Sequence, residues 1–350
     1  MMAELRREPI ERRWVVITKN PPRGPADYVP YKPPYQLQDP KGPCPFCPGR
    51  EGMTPPEVFS LNEEGKRWSV RVIPNKFPFF HIEGEFDRRA EGMYDTMEAV
   101  GAHEIVVEAP EHDQSLATMD PRHIERILEA YQARFIDLKK DVRIQQLLIL
   151  KNYPGIFNRH PHSHLLAMPI VPRTIDDEIW GTMDYYKRKE RCIFCDIIKE
   201  ELSMKERVVL ETSHFLVFCP FASRYPFETW IIPKVHSPDF HTVTKEMTGE
   251  LSGLIRSLFT CFYKLLADPP YSLVFHTSPL QPQFHKEEYH WHIEIRLRIG
   301  LREGFEWATG FFVNPTPPGE CGSLFKRSGT GASSGEQRAK SIELQVRTIN

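Results

Sequence analysis

The chain has 350 residues, 40% hydrophobic and 26% charged, which is enough for two cores because single cores stop growing near roughly 250–300 residues. Its formal net charge of −2 lacks the basic excess with which nucleic-acid binders neutralise phosphates, so no nucleic-acid partner is expected. The N-terminal segment MMAELRREPIERRW has no apolar signal region, and no stretch approaches the roughly 20 apolar residues of a membrane span. A cytoplasmic location without a membrane partner is therefore expected.

In chain order, the first third holds many of the 32 prolines and reads as extended segments and ordered loops rather than helices. The pair Cys44-Pro45-Phe46-Cys47 comes first, then the apolar strand Val70–Pro74. A strand from Glu104 to Val107 leads to His112. After Asp120-Pro121, residues Ile124, Ile127, Leu128, Tyr131 and Phe135 have the i, i+3, i+4 spacing of an amphipathic helix, with Pro121 suited to its first turn. The strand Gln146–Leu150 and the segment His160-Pro161-His162 close this series.

The series then recurs. Cys192-Ile193-Phe194-Cys195 is followed by the strand Phe215–Pro220 and by Glu228–Ile232 leading to His236, with the same Glu-to-His separation as before. A helix from about Thr244 runs through Leu251, Leu254, Ile255, Leu258, Phe259 and Phe262. The strand Ser272–His276 and His290-Trp291-His292 complete the second copy. The fold class is α+β: two similar units, each an antiparallel sheet with one principal helix packed on it. The expected boundaries are 1–183 and 184–318, with the polar stretch Thr182–Glu190 at the junction. Residues 319–350, rich in Gly, Ser and charge, read as a flexible tail.

Seven cysteines, four of them in two CxxC pairs, read in a reducing compartment as metal ligands rather than disulfides. Structural zinc takes four Cys or His ligands, and each repeat supplies two of each. The expected sets are Cys44, Cys47, His112 and His160, and Cys192, Cys195, His236 and His290, giving one or two Zn2+ per chain. Cys219, Cys261 and Cys321 fall outside this pattern and read as packing residues or free thiols.

His160, His162 and His164 alternate, so an extended strand points all three to one face. A neutral imidazole is a good nucleophile toward phosphorus. If zinc takes His160, His162 is aimed as a nucleophile toward a nucleotide α-phosphorus, and His164 is left to bind phosphate oxygens or protonate a leaving group. The second row carries Glu294 where the first has His164. A carboxylate there repels phosphate, so that copy reads as structural, with His292 a support or a further ligand.

These residues resemble the galactose-1-phosphate uridylyltransferase family, a branch of the histidine-triad superfamily. The likeness runs from Glu4-Leu5-Arg6 to Asn314-Pro315. It rests on Cys44-Pro45-Phe46-Cys47-Pro48-Gly49, Val70-Arg71-Val72-Ile73-Pro74-Asn75-Lys76-Phe77-Pro78, Glu111-His112, His160-Pro161-His162-Ser163, Tyr289-His290-Trp291-His292-Ile293-Glu294-Ile295 and Gly304-Phe305-Glu306-Trp307. The resemblance implies two tandem histidine-triad-like domains, a homodimer and a role in galactose and carbohydrate metabolism. It also implies a UMP group exchanged between a UDP-hexose and a hexose 1-phosphate through a uridylyl-histidine at His162. Arg23, Asn75 and Asn152 match substrate-contacting positions. The chain departs from the family at His164, where Gln is usual, and at Phe157, which replaces a Ser near the phosphate. An ADP-sugar phosphorylase or nucleotide hydrolase of the same superfamily is the alternative, and a zinc-stabilised nucleotide-binding protein without catalysis is the second.

Overall fold

The computed structural model describes residues 3–18, 22–30, 42–63, 66–155, 158–280, 286–299 and 304–325. In chain order the strands are β1 (Glu4–Arg7), β2 (Trp14–Ile17), β3 (Phe59–Glu63), β4 (Lys66–Pro74), β5 (Arg89–Glu91), β6 (Tyr94–Thr96), β7 (Ala102–Val107), β8 (Gln146–Tyr153), β9 (His162–Met168), β10 (Val208–Glu211), β11 (Phe215–Phe218), β12 (Thr229–Pro233), β13 (Tyr271–His276), β14 (His292–Leu297) and β15 (Phe312–Asn314). The helices are α1 (Pro121–Leu138), α2 (Arg173–Lys189), α3 (Ile193–Met204), α4 (Lys245–Leu266), α5 (Gly304–Thr309) and α6 (Pro318–Phe325).

The two copies join edge to edge. One ten-stranded sheet runs β10-β11-β12-β14-β13-β8-β9-β7-β4-β3, and its central junction is the antiparallel pair β13–β8, with Tyr271 opposite Tyr153. Matching the copies makes the order the same from either end, since β8, β9, β7, β4 and β3 correspond to β13, β14, β12, β11 and β10. The two principal helices form where the apolar spacing places them. Asp120 caps α1 by accepting from the Arg122 amide, and Thr244 caps α4 by accepting from the Met247 amide. Ile124, Ile127, Leu128 and Phe135 of α1 and Leu251, Ile255, Leu258 and Phe259 of α4 are buried in one core with Leu147, Leu165, Leu273 and Ile293 of the sheet. Each such side chain contributes about 1.5–3 kcal/mol on burial.

The opposite face differs between the halves. In the second half it is covered by the N-terminal segment and α3, where Ile10 packs with Ile193, Phe194, Phe218 and Trp230. Among the described residues the first half carries a small cluster there, Trp68, Ile73, Ile105 and Val107 with Phe46, and leaves His164 partly exposed beside it.

Spatial division does not follow the expected boundary at 183/184, which falls inside α2. The first strands belong with the second half, because β2 pairs in parallel with β15. Glu178 of α2 bonds His276 and Tyr289 in that half as well. The expected tail begins as α6, with Cys321 and Phe325 buried one turn apart and the Phe325 ring edge-on to Phe262. Its Gly and Ser content masked this i, i+4 apolar pair; residues 326–350 lie outside the described residues. Among the described residues no helix is long and apolar enough to cross a membrane.

Candidate active site and metal centres

The first CxxC is a tight turn, with the Cys47 amide donating to the Cys44 carbonyl. It carries both thiols to the end of β7, where His112 and His160 meet them. Cys44 Sγ and Cys47 Sγ each lie 3.7 Å from His160 Nδ1, Cys47 Sγ lies 3.5 Å from His112 Nδ1, and the two Nδ1 atoms are 3.4 Å apart. A tetrahedral ion with zinc bond lengths has S···N edges of roughly 3.5 Å and N···N edges of roughly 3.3 Å. The donor set therefore fits such an ion. His160 Nε2 donates to the Ala109 carbonyl at 2.7 Å, which turns the Nδ1 lone pair to the cluster. Asn158 braces the loop, accepting from the His160 amide at 2.9 Å and donating to Cys44 Sγ at 3.5 Å.

The second set repeats this arrangement. Cys195 Sγ is 3.6 Å from His236 Nδ1 and 3.7 Å from His290 Nδ1, and all four ligand atoms lie within 4.8 Å of one another. The Nε2 atoms donate to the Lys286 and Pro233 carbonyls. Hydrogen bonding from Cys192, then from His236 and His290, lowers the Cys195 thiol toward thiolate, the form a metal takes. This CxxC opens α3, but it follows a helix rather than the strand of a thioredoxin-like motif.

Strand β9 begins at His162. Its Nδ1 donates to the His160 carbonyl at 2.7 Å, so the neutral ring keeps its lone pair on Nε2. Burial lowers this imidazole to about 4. Phe46, carried on the CxxC turn, packs edge-on at 5.5 Å from the His162 ring. On the other side is Gly155, where a Cβ would sit 2.4 Å from His162 Cε1 and 2.3 Å from the Asn158 carbonyl oxygen. Beneath the strand, on the α1 face, Lys151 Nζ donates to Glu108 Oε2 at 2.5 Å and to the His162 carbonyl at 3.4 Å. Tyr131 joins Glu108 Oε1 to Ser163 Oγ.

His164 shares the His162 face, with ring centroids 5.4 Å apart. It meets His103 of β7, Nδ1 to Nε2, at 3.0 Å. Asn75 joins this group, its amide nitrogen 3.1 Å from His103 Nε2. Asn152 lies on the same face of β8 as Leu150, which is registered opposite His164, and its Oδ1 accepts from Ser272 Oγ at 2.7 Å. Arg23 is anchored beside the small sheet: its amide donates to the Pro315 carbonyl and its carbonyl accepts from Thr316. No bond in the described residues ties it to His162. Phe157 lies outside the described residues.

Two groups escaped the sequence reading. One is His103, whose only signal was its place on the His164 face, alternating with Ile105 and Val107 along β7. The other is Glu178, which joins His292, read from the sequence as a support or further ligand, in the second half's counterpart of the first site. There Glu178 of α2 approaches His276 at 2.8 Å and His292 Nε2 at 3.9 Å, with Glu294 completing a group that can hold an ion. Burial opposes a charge on His276, yet Glu178 and Glu294 raise it overall, while burial lowers His292 to about 4. The signal for Glu178 was an acid on the apolar stripe of α2, between Ile175 and Ile179. Arg224 pairs with both Glu228 and Glu294, so this copy is filled with the chain's own charges.

Two like-built α+β halves, one of them setting a histidine row beside a Cys/His cluster, define a class of nucleotidyl-transferring enzymes. Residues 16–172 match the model of the galactose-1-phosphate uridyl transferase N-terminal domain, and residues 179–300 match that of the C-terminal domain. The chain belongs to the galactose-1-phosphate uridylyltransferase family. It is 34% identical over 330 residues to an ADP-glucose phosphorylase of Arabidopsis thaliana, covering 92% of each chain. It is 27% identical over 331 residues to a galactose-1-phosphate uridylyltransferase of Thermotoga maritima, covering 91% of this chain and 96% of the other. A crystal structure of the Arabidopsis ADP-glucose phosphorylase with bound ADP-glucose superposes with a TM-score of 0.77 at 32% identity, over 93% of this chain and 98% of the other.

Proposed function

We propose that this enzyme moves the nucleotidyl group of a nucleoside diphosphate sugar through a covalent bond to His162. The observation that carries this is the bond from His162 Nδ1 to the His160 carbonyl, which leaves a neutral ring with its lone pair on Nε2. In the first half-reaction Nε2 bonds to the α-phosphorus and the bond from phosphorus to the bridging oxygen breaks, so the sugar 1-phosphate leaves with that electron pair. In the second, an oxygen of a phosphate-bearing acceptor bonds to phosphorus and the P–N bond breaks, restoring His162. His164 hydrogen-bonds the phosphoryl oxygens during both exchanges.

Inorganic phosphate is the favoured acceptor, making the enzyme a nucleotide-sugar phosphorylase. Support comes from the likeness to ADP-glucose phosphorylase at 34% identity, against 27% to the Thermotoga uridylyltransferase. Hexose 1-phosphate, with a UDP-hexose as donor, is the second reading and rests on the family itself. Cys44, Cys47, His112 and His160 would hold one zinc ion and Cys192, Cys195, His236 and His290 another. A zinc ion in the first set would brace the loops that flank His162. Arg23, Asn75 and Asn152 are assigned to substrate contact from their match to substrate-contacting positions of the family.

The test is peptide mass analysis after incubation with ADP-glucose and with UDP-glucose, then addition of phosphate or of a hexose 1-phosphate. The expected result is a nucleotidyl adduct on His162 that phosphate discharges as nucleoside diphosphate. Discharge only by hexose 1-phosphate selects the uridylyltransferase reading. No adduct with any nucleotide sugar, together with full turnover by His162→Ala, overturns the mechanism.

A further inference from the structure

The pair formed by His103 and His164 carries more than its neighbours do. Its two ring nitrogens are 3.0 Å apart, so one proton lies between them and its owner decides what His164 presents to the cleft. Main-chain geometry identifies the owner. The Asn75 side-chain nitrogen straddles the His103 ring, 3.4 Å from Nδ1 and 3.1 Å from Nε2, and can donate to either; the Phe79 amide, which can only donate, points at Nδ1 alone from 3.2 Å, so Nδ1 is the nitrogen that faces two donors and accepts. The segment holding Phe79 is itself fixed, because the Phe77 amide donates to Asn75 Oδ1 at 3.0 Å and the Asn75 amide donates to the His103 carbonyl at 2.8 Å. The Phe79 ring lies over the His103 ring at 4.8 Å and shields it.

With Nδ1 accepting, neutral His103 carries its proton on Nε2 and donates it to His164 Nδ1. His164 then carries its own proton on Nε2. That nitrogen presents an N–H, the polarity a phosphoryl oxygen needs; the opposite tautomer presents a lone pair and repels it. We propose that His103 is a positioning residue that sets the tautomer of His164, so that His164 donates to the phosphoryl group being transferred from His162. Burial of His103 supports this by holding the ring neutral, its pKa lowered to about 4. The proposal rests on the nucleotidyl-histidine reading for its consequence, but the tautomer itself does not depend on it.

The decisive experiment is a double-mutant cycle on the full chain, read in single-turnover formation of the His162 adduct. His103→Leu is expected to slow adduct formation by about 10- to 100-fold with little change in nucleotide-sugar affinity, as loss of an orienting hydrogen bond does. In a His164→Gln background the same substitution is expected to cost less than about threefold, because a glutamine amide donates without a tautomer choice. His103→Gln, which can return an N–H toward His164, is expected to recover part of the rate. Equal losses in both backgrounds, or no loss in either, overturn the proposal. Nitrogen-15 spectra of the ring nitrogens provide a readout independent of activity and cover any variant that folds poorly: the wild-type chain should show His164 protonated at Nε2, and protonation at Nδ1 overturns the proposal outright. An absent adduct with the Nε2 tautomer present would refute the catalytic reading alone.

Discussion

His162 Nδ1 donates to the His160 carbonyl at 2.7 Å, and burial lowers the ring to about 4 from an ordinary value near 6.5. The ring is therefore unprotonated across the whole neutral range. Adduct formation should stay level from about pH 8 to about pH 5 and fall only below that; a midpoint near 6.5 in a stopped-flow profile would contradict the geometry. The sign for stability follows from the same shift. His103, also lowered to about 4, and His162 take up protons in the unfolded chain between about pH 6.5 and 4 that the folded chain refuses. Stability present above that range is lost as pH falls through it, measurable as a falling urea midpoint. Gly155 has a tighter role: a Cβ there meets His162 Cε1 at 2.4 Å. Gly155→Ala is expected to displace the His162 ring together with the Asn158 backbone and cut adduct formation at least about 100-fold.

At the scale of elements, β9 is held from both sides. On the α1 side, Lys151 and Glu108 form an ion pair with both side chains almost fully buried, and Tyr131 and Ser163 complete its bonding. Lys151→Met leaves the Glu108 carboxylate in the core without its cation and should cost about 3–5 kcal/mol in chemical denaturation. Adding Glu108→Leu should recover a large part of that loss, because a buried pair replaced whole is far less costly than one broken. On the site side, the CxxC turn joins the Cys/His cluster to His162, since Phe46 between the two thiols packs on the His162 ring. On the proposed zinc reading, Cys47→Ser removes one ligand of the first set and is expected to lower the zinc content by elemental analysis and the adduct yield in step. An unchanged zinc content would remove Cys47 from the ligand set.

At the scale of the whole molecule, the second half serves the site without contributing a nucleophile. Its own histidine row is buried: His292 sits among Glu178, His276 and Glu294 under α2. Yet Arg298, just after β14, donates to the Tyr153 and Pro154 carbonyls, and Asp268 accepts from the Tyr153 hydroxyl. These bonds cross the β8–β13 junction and hold the chain that leads to Gly155. Arg298→Ala should therefore slow adduct formation by about tenfold while leaving the zinc content unchanged, a separation that kinetics and elemental analysis on one sample can read.

The sequence by itself determined the local and the repeated. Apolar spacing foretold α1 and α4, alternation placed His162 and His164 on one face, and the two CxxC series marked two four-ligand sets that the fold does gather. Those features were legible because periodicity and repetition are properties of the chain alone. Only the tertiary structure decided the rest. It joined the halves into one sheet, sent residues 3–18 and α2 to cover the second half, and began the supposed tail as a packed helix. It also brought His103 to His164 across 61 positions of sequence. Edge pairing and burial depend on which surfaces meet, and no local pattern records that. His164 of the first row stays partly exposed while His292 of the second is fully buried, a difference that lies in what covers each sheet face.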